Sequence, residues 1–552
     1  MDTYFIGIDV GTGSARAGVF DRAGALLASA RREIDLFRDE RRGHVEQSSA
    51  QIWDAVCGAV RDAVAQAGID PAAVAGVGVD ATCSLVVQGA EGGVGDPAHP
   101  ERDVIVWMDH RALDQARRIN AGGHAVLSYV GGMISPEMET PKLLWLKEQL
   151  PPIYASARHF FDLTDFLTWK ATGSLQRSSC TVTCKWTYLA HEERWDEEYF
   201  RCIGLGELAD EDFRRIGQRI VHPGTALDGG LSEAAARDMQ LRPGIAVAAG
   251  LIDAHAGGIG TVAAAGGRQD ATACLGYVFG TSSCTMTSTA SPIFVPGVWG
   301  PYYSAMVPGM WLNEGGQSAA GAAIDHLLTL HPAAQEAGAE AARARMELPQ
   351  WLARRVLDAV AEPSDAAWLA GQLNVVPEFI GNRSPLADPY ARAALLGLGM
   401  ESDIDSLAAL YVAGLCSLGY GLRQIIEAQA AQGIAIASIA VSGGAGTHAL
   451  TRQILADATG IPVEVTACSE PVLLGSAMLA AVASGSYAGL EQAMPAMSRV
   501  AGRSTPATGS VRALHEARYR AFLATQRLAR EVRDAIAPLL AAQAAGGAGD
   551  LS

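Results

Sequence analysis

Apolar positions in the first 35 residues come in short runs broken by turn-forming residues, a pattern that predicts strands. Tyr4–Val10 (YFIGIDV) is apolar and β-branched, and Ser14–Phe20 follows it after the tight turn Gly11-Thr12-Gly13. A second turn, Asp21-Arg22-Ala23-Gly24, leads into a third strand over Ala25–Glu33. The period then changes: Ile52, Val56, Val60 and Val64 recur at four-residue spacing and mark the buried face of a helix over Ser48–Ala67. Val74–Asp80 (VAGVGVD) reads as a buried strand and Val104–Trp107 as another. The order β-β-β-α-β-α predicts a mixed sheet rather than a run of βαβ units.

The second half repeats this opening. Ile245–Leu251 reads as a strand ending at Ile252-Asp253, and Ala271–Val278 runs through Phe279-Gly280-Thr281-Ser282-Ser283 into a strand over Cys284–Thr289. GTGSA at Gly11–Ala15 and GTSSC at Gly280–Cys284 therefore share one strand–turn–strand context, which points to an internal duplication of an α/β unit. Two duplicated lobes imply a cleft between them, where small-molecule sites form. Pro332–Glu362 predicts a solvated helical stretch, Leu407–Gln432 a long helix, Glu516–Ala541 a C-terminal helix, and the final AAGGAGDLS a loose tail.

Composition narrows the function classes. The 552 residues are 49% hydrophobic and 18% charged, the range of a packed globular protein. With 42 basic and 59 acidic residues the formal charge is −17, which argues against duplex nucleic acid or an anionic membrane as partner. No run of about 18 apolar residues occurs, and the N-terminus has no signal-type segment, so the expectation is a soluble, cytoplasmic protein. The nine scattered cysteines read as reduced thiols, and Cys180 and Cys184 have no matching Cys/His pair that would predict zinc. Only Lys142, Lys147, Lys170 and Lys185 are lysines, and none follows a glycine, which excludes a G-x-x-x-x-G-K-[ST] phosphate loop.

Phosphate can be held without lysine. At Asp9-Val10-Gly11-Thr12-Gly13-Ser14 a carboxylate ends a buried strand, and backbone N–H groups and two hydroxyls then enter one small volume. Such a turn can cradle a phosphate while Asp9 holds magnesium through water; an ordinary hairpin would look the same. Gly280-Thr281-Ser282-Ser283 is a second such turn. Paired across the duplication, the two could hold a nucleotide's phosphate chain from two sides. Val441-Ser442-Gly443-Gly444-Ala445-Gly446-Thr447 joins a strand over Ala437–Val441 to a helix over His448–Thr459, and its glycines let a flat group such as adenosine lie on the backbone. Taken alone, that segment reads first as a flexible strand-to-helix connection.

The ordered set DVGTGSAR, GLIDAHAG, GTSSC and SGGAGTHALTRQILADATGIPV resembles the FGGY carbohydrate kinases over about residues 4–500. The resemblance implies an α/β fold of two ribonuclease-H-like lobes of the actin/hexokinase ATPase type, with a cleft between them. It implies a sugar-binding N-terminal lobe over 1–252, a nucleotide-binding C-terminal lobe over 253–500, and a C-terminal helix and tail over 501–552. GVDATCS at 78–84, VWMDHR at 106–111, TPKLLW at 140–145, TCKWTY at 183–188 and PEFIGNRSP at 377–385 resemble the pentulose kinases, D-ribulokinases first and L-ribulokinases next. Glycerol kinases carry an Arg-Glu pair where this chain has Thr82-Cys83, which disfavours glycerol. The family's adenosine segment usually has asparagine where His448 stands.

Carried over position by position, the resemblance implies that Asp253 is the base taking the sugar hydroxyl's proton, although an aspartate there also suits a helix N-cap. It places Lys185 and Glu314 on the sugar, with Thr82, Cys83, Asp109 and Trp107 shaping the pocket. A surface ion pair with Glu192–Glu198 is the alternative for Lys185, and a helix start the alternative for Glu314. Gly11, Thr12, Gly13, Ser14, Gly280, Thr281, Ser282, Gly443, Gly444, Ala445 and His448 would contact ATP, and Asp9 would bind Mg2+. The expected activity is phosphorylation of a pentulose, D-ribulose first, with L-ribulose, D-xylulose or a pentitol as nearer alternatives and a non-catalytic actin-like ATPase as the distant one. A sugar is the expected partner, without nucleic acid or membrane, and the resemblance allows a homodimer.

Overall fold

The structure, a computed structural model, describes residues 3–262, 272–444, 446 and 448–547. It divides into two compact units interleaved along the chain: residues 1–276, 286–314 and 466–501 form the first, and 277–285, 315–465 and 502–552 the second. The chain enters and leaves each unit several times, so that strands are divided along their length.

In the first unit, β1 (Tyr4–Val10), β2 (Ser14–Asp21) and β3 (Leu26–Glu33) form an antiparallel meander. α1 (Ser49–Ala67) follows, capped by Ser48, whose side chain accepts the Gln51 N–H. Ile52, Val56, Val60 and Val64 are all buried, as their spacing predicts. β4 (Val74–Ala81) then lies parallel to β1, with Asp9 in register with Asp80. After α2 (Ser179–Trp186) come β5 (Ala246–Val247) and β6 (Leu251–Ile252), both parallel to β4, and α3 (Asp253–Val262). The sheet order is β5-β4-β1-β2-β3, with β6 also on β4. The single strand expected over Ile245–Leu251 is therefore two short ones. Between them Ala249 N–H bonds Thr225 O at 2.8 Å and its carbonyl accepts Gly224 N–H at 2.9 Å, so the backbone leaves the ladder for a neighbouring loop. Val104–Ile105, shorter than the expected Val104–Trp107, belongs to a separate five-stranded sheet.

The second half supplies β7 (Cys274–Phe279), β8 (Ser283–Thr289), β9 (Trp299–Tyr303) and β10 (Trp311–Gln317). The expected start of β7, Ala271, lies outside the described residues. The long helix α4 (Ile404–Ala430) precedes β11 (Ser438–Ser442), α5 (Ala449–Thr459) and β12 (Val463–Thr466). The order β10-β8-β7-β11-β12 repeats β3-β2-β1-β4-β5 position for position, which is the duplication that the two GT turns suggested. α4 is long and apolar enough to cross a membrane by composition, but 72% of its most apolar window is buried in the fold, as in a core helix. The C-terminal helix, α7, runs over Gly509–Gly547, longer than expected and into the segment read as a tail.

One more helix fixes the first unit. α6 (Pro471–Ala483) lies directly on β1 and β4, where glycines remove the side chains that would hold it off. A Cβ at Gly7 would stand 2.0 Å from Leu473 O, and one at Gly78 would stand 1.9 Å from Ser476 O. On its other side Gly475 meets α3, where a Cβ would lie 2.0 Å from Ala256 O.

Candidate active site

The first sheet delivers three carboxylates to one end of its central strands. Asp9 is the penultimate residue of β1, 3% exposed, and the turn beyond the strand closes with Gly11 N–H on Ser14 O at 3.0 Å. Arg16, its register partner on β2, donates Nε to Asp9 Oδ2 at 2.9 Å and Nη1 to Glu470 Oε2 at 2.8 Å. Asp80, the penultimate residue of β4, lies beside it and accepts the Ser476 hydroxyl at Oδ2 at 2.5 Å, while its buried Oδ1 has no hydrogen-bond partner among the described residues. Burial, and then the Asp9 charge, push the Asp80 carboxyl well above the usual carboxylate range.

Asp253 follows β6, which pairs with the end of β4 through Leu251–Asp80 and Ile252–Ala81. That pairing sets the third carboxylate near the other two. Asp253 Oδ1 accepts the N–H of Ala254 at 2.7 Å, the next residue rather than one two or three positions on, so it is not placed as an N-cap would be. Burial and the Asp9 charge raise its carboxyl to about 6, against the opposing effects of the Ala254 N–H and of His255 and Lys185.

A second group of side chains gathers around Lys185 on α2. Lys185 is 5% exposed, which removes the surface ion pair with Glu192–Glu198 as its role. Its Nζ lies 4.8 Å from the Trp299 ring centroid, and Trp299 on β9 is the register partner of Glu314 on β10. Burial works against the ammonium charge, but the neighbouring Cys83, Glu314 and Tyr302 side chains outweigh it and raise the Lys185 pKa. Burial pushes the Cys83 thiol far up despite Lys185. Glu314 stands inside β10 and not at a helix start. The Tyr302 hydroxyl, buried beside Lys185, has no hydrogen-bond partner among the described residues.

The remaining expected pocket residues are braced locally. Trp107 Nε1 donates to Thr12 Oγ1 at 3.0 Å, and Thr82 Oγ1 lies 3.0 Å from Ser84 Oγ. Asp109 is fully buried: Arg111 Nε and Nη2 each donate to it at 2.8 Å and the Val45 N–H at 2.6 Å, an ion pair that Glu46 completes through Arg111. Both of its oxygens are thus engaged by the protein. Arg111 overcomes the effect of burial and holds Asp109 below its ordinary value.

In the second unit, Gly280 N–H bonds Ser282 O at 2.9 Å, and the Gly280 carbonyl accepts the Gly321 N–H at 3.0 Å. Gly280 and Thr281 are exposed. Gln317 braces the turn: Tyr277 Oη and Ser283 Oγ donate to its Oε1 at 2.9 and 3.1 Å. Gly443 has φ +91°, and a Cβ there would stand 2.2 Å from Phe279 O, so only glycine fits. Gly444 has nothing within 4 Å of where a Cβ would stand. His448 precedes α5 without capping it, and its Nδ1 has no partner among the described residues. Ala445, the other expected adenosine contact, lies outside the described residues.

The structure thus brings Asp9 and Asp253 together, and separately Cys83, Lys185 and Glu314. It adds Arg16, Asp80, Tyr302 and Gln317, which the sequence reading missed. Asp80 was findable, because VAGVGVD ends in an aspartate as YFIGIDV nearly does. Arg16, Tyr302 and Gln317 carry no local signal.

Residues 4–260 match the N-terminal domain of the FGGY family of carbohydrate kinases, and residues 275–484 match its C-terminal domain. A human FGGY carbohydrate kinase domain-containing protein is 46% identical over 510 residues, 90% of this chain and 92% of that one. A D-ribulokinase of Saccharomyces cerevisiae is 39% identical over 519 residues, 88% of this chain and 72% of that one. Among solved structures, xylulose kinase from Rhodospirillum rubrum superposes with a TM-score of 0.76 at 22% identity, over 97% of this chain and 99% of that one.

Proposed function

The chain belongs to the FGGY family of carbohydrate kinases, and from that premise we propose that it phosphorylates D-ribulose at the C5 hydroxyl. As a sugar kinase of this family it uses ATP. The observation that carries the substrate reading is the buried set of Lys185, Glu314, Cys83 and the unpartnered Tyr302 hydroxyl, polar groups that a polyhydroxylated ligand would satisfy. The yeast D-ribulokinase supports the choice of sugar.

In the proposed reaction the C5 oxygen attacks the γ-phosphorus, the bond from phosphorus to the β–γ bridging oxygen breaks, and ADP leaves. Asp253 accepts the hydroxyl proton as attack proceeds. The Asp9–Ser14 turn and the Gly280–Ser283 turn each offer backbone N–H groups to phosphate oxygens, and Gly443–Gly444 leaves a flat surface for adenosine. Magnesium fits the hard oxygen donors of Asp9 and Asp80, whose buried Oδ1 is otherwise unsatisfied; when bound it offsets phosphoryl charge.

A coupled ADP-release assay over ketopentoses, aldopentoses and polyols tests the reading, with D-ribulose expected to give the highest kcat/KM. A higher value for L-ribulose, D-xylulose or a pentitol moves the substrate within the family, and ATP turnover that no sugar stimulates returns the actin-like alternative. The acid limb of kcat/KM should fall near pH 6, because Asp253 must be ionised to act and its carboxyl is raised to about 6 in the free protein. A limb near the ordinary carboxylate value would remove Asp253 as the titrating base. Lys185→Ala should raise the sugar KM on the order of 10- to 100-fold, the loss of one charged hydrogen bond, with the ATP KM unchanged. Equal rises in both constants would assign Lys185 to the fold.

A further inference from the structure

One buried cluster in the first unit takes no part in this chemistry. Cys180 and Cys184 on α2 and His255 on α3 are buried, and their ligating atoms lie within 4.8 Å of one another. His255 links two of its neighbours: Nδ1 lies 3.1 Å from Cys180 Sγ, and Nε2 lies 3.2 Å from Glu314 Oε2. Cys180 Sγ also accepts the Ile252 N–H at 3.4 Å, which ties it to the residue before Asp253. The chain Cys180–His255–Glu314 therefore begins on the helix that carries Lys185, passes through the helix that Asp253 opens, and ends on a carboxylate of the sugar pocket.

We propose that Cys180 and His255 are positioning residues that fix the Glu314 carboxylate, ionised and in one orientation, for a substrate hydroxyl. The proposal rests on the reading of Glu314 as a sugar contact. Its physical basis is the imidazole's two nitrogens. Where Cys180 donates as a thiol to a neutral ring, or accepts as a thiolate from an imidazolium, Nε2 carries a proton and donates it to the Glu314 carboxylate. Two anchored nitrogens define the ring plane, and the plane defines the direction from which the carboxylate is held. Burial opposes charge on both members, yet the Cys184 thiol and His255 draw Cys180 downward, and Cys180 and Glu314 draw His255 upward. In the ion-pair form, thiolate, imidazolium, the Glu314 carboxylate and the Lys185 ammonium offset one another's charges.

Two other readings of the cluster are weaker. Residues four apart on a helix hold their Cβ atoms roughly 5–6 Å apart, too far for a disulfide without unwinding α2. A soft divalent ion would have to displace the Cys180–His255 hydrogen bond and sit beside the Lys185 ammonium, which is already an electrostatic neighbour of Cys184.

Side-chain surrogates separate the two halves of the relay. His255→Gln retains a donor near the Nε2 position, and His255→Asn retains one near Nδ1 only. The expected result is a sugar KM within about threefold of wild type for His255→Gln and raised about tenfold or more for His255→Asn, with the ATP KM unchanged in both. In a Glu314→Gln background, His255→Asn should add little further, because the two act through one interaction. Equal effects of Asn and Gln, or full additivity with Glu314→Gln, would overturn the relay. A readout without substrate is the nitrogen NMR spectrum of His255, in which Nε2 should be protonated throughout the pH range of the intact fold. A bare Nε2, or one equivalent of zinc held tightly by the purified protein, also overturns it. If no sugar is phosphorylated while Nε2 is protonated, the sugar reading fails and the relay's geometry does not.

Discussion

Asp253→Asn is expected to lower kcat for sugar phosphorylation by at least about 10²–10⁴-fold while leaving ATP affinity and thermal stability near wild type. The amide matches the carboxylate in size, and its oxygen can keep the hydrogen bond from the Ala254 N–H, 2.7 Å long in the wild type. What it cannot do is take a proton from an attacking hydroxyl. Stability should not fall either. A carboxyl raised by burial and by Asp9 to about 6 is destabilising once ionised: its contribution is present below the ordinary value near 4 and is lost as pH rises through 6. At neutral pH the neutral amide removes that disadvantage. The measurement is kcat with D-ribulose, ATP affinity by calorimetry and the unfolding temperature on the same preparation. A kcat within tenfold of wild type would dismiss Asp253 as the base, and a collapse of all three quantities would make it structural.

Gly78→Ala is expected to destabilise the first unit by about 3 kcal/mol or more, the upper end for forcing extra atoms into a packed interior. The added Cβ would stand 1.9 Å from Ser476 O and 2.9 Å from its carbonyl carbon, both backbone atoms that no side-chain rotation can move. The helix cannot retreat either, because Gly475 holds its other face against α3, 2.0 Å from Ala256 O by the same construction. The displacement would reach the site directly, since Ser476 is the residue that bonds Asp80. Urea denaturation of the variant should show an early midpoint or no soluble protein at all. Gly338→Ala is the control: nothing lies within 4 Å of its Cβ position, and alanine in a helix should be neutral or stabilising by about 0.5–1 kcal/mol. A Gly78→Ala midpoint equal to wild type would mean that the close approach of α6 is not obligatory.

Where the sequence reading succeeded, a local pattern was sufficient. The meander β1–β3, the period-four face of α1 and both glycine turns follow from residues close in the chain. It failed where a distant segment competes for the same backbone. Ile245–Leu251 has the composition of one strand, but the loop at 224–227 takes the hydrogen bonds of its middle residues. For Lys185 a surface ion pair remained the alternative to a place on the sugar, because rarity does not reveal burial. Cys180 and Cys184 gave no metal spacing, and nothing linked them to His255, 75 residues from Cys180.

The sequence by itself determined the strand–turn–strand units, their duplication, the family, and the position of Asp253 at a strand end, because periodicity and turn chemistry act over a few residues. Only the tertiary structure decided which carboxylates meet. Parallel pairing of β4 with β1 and β6 sets Asp80 and Asp253 beside Asp9, and the glycine-lined seat of α6 brings Ser476 onto Asp80 from 396 residues away. Raised carboxyl pKa values and a buried cation exist only once that packing has removed water, which no local pattern encodes.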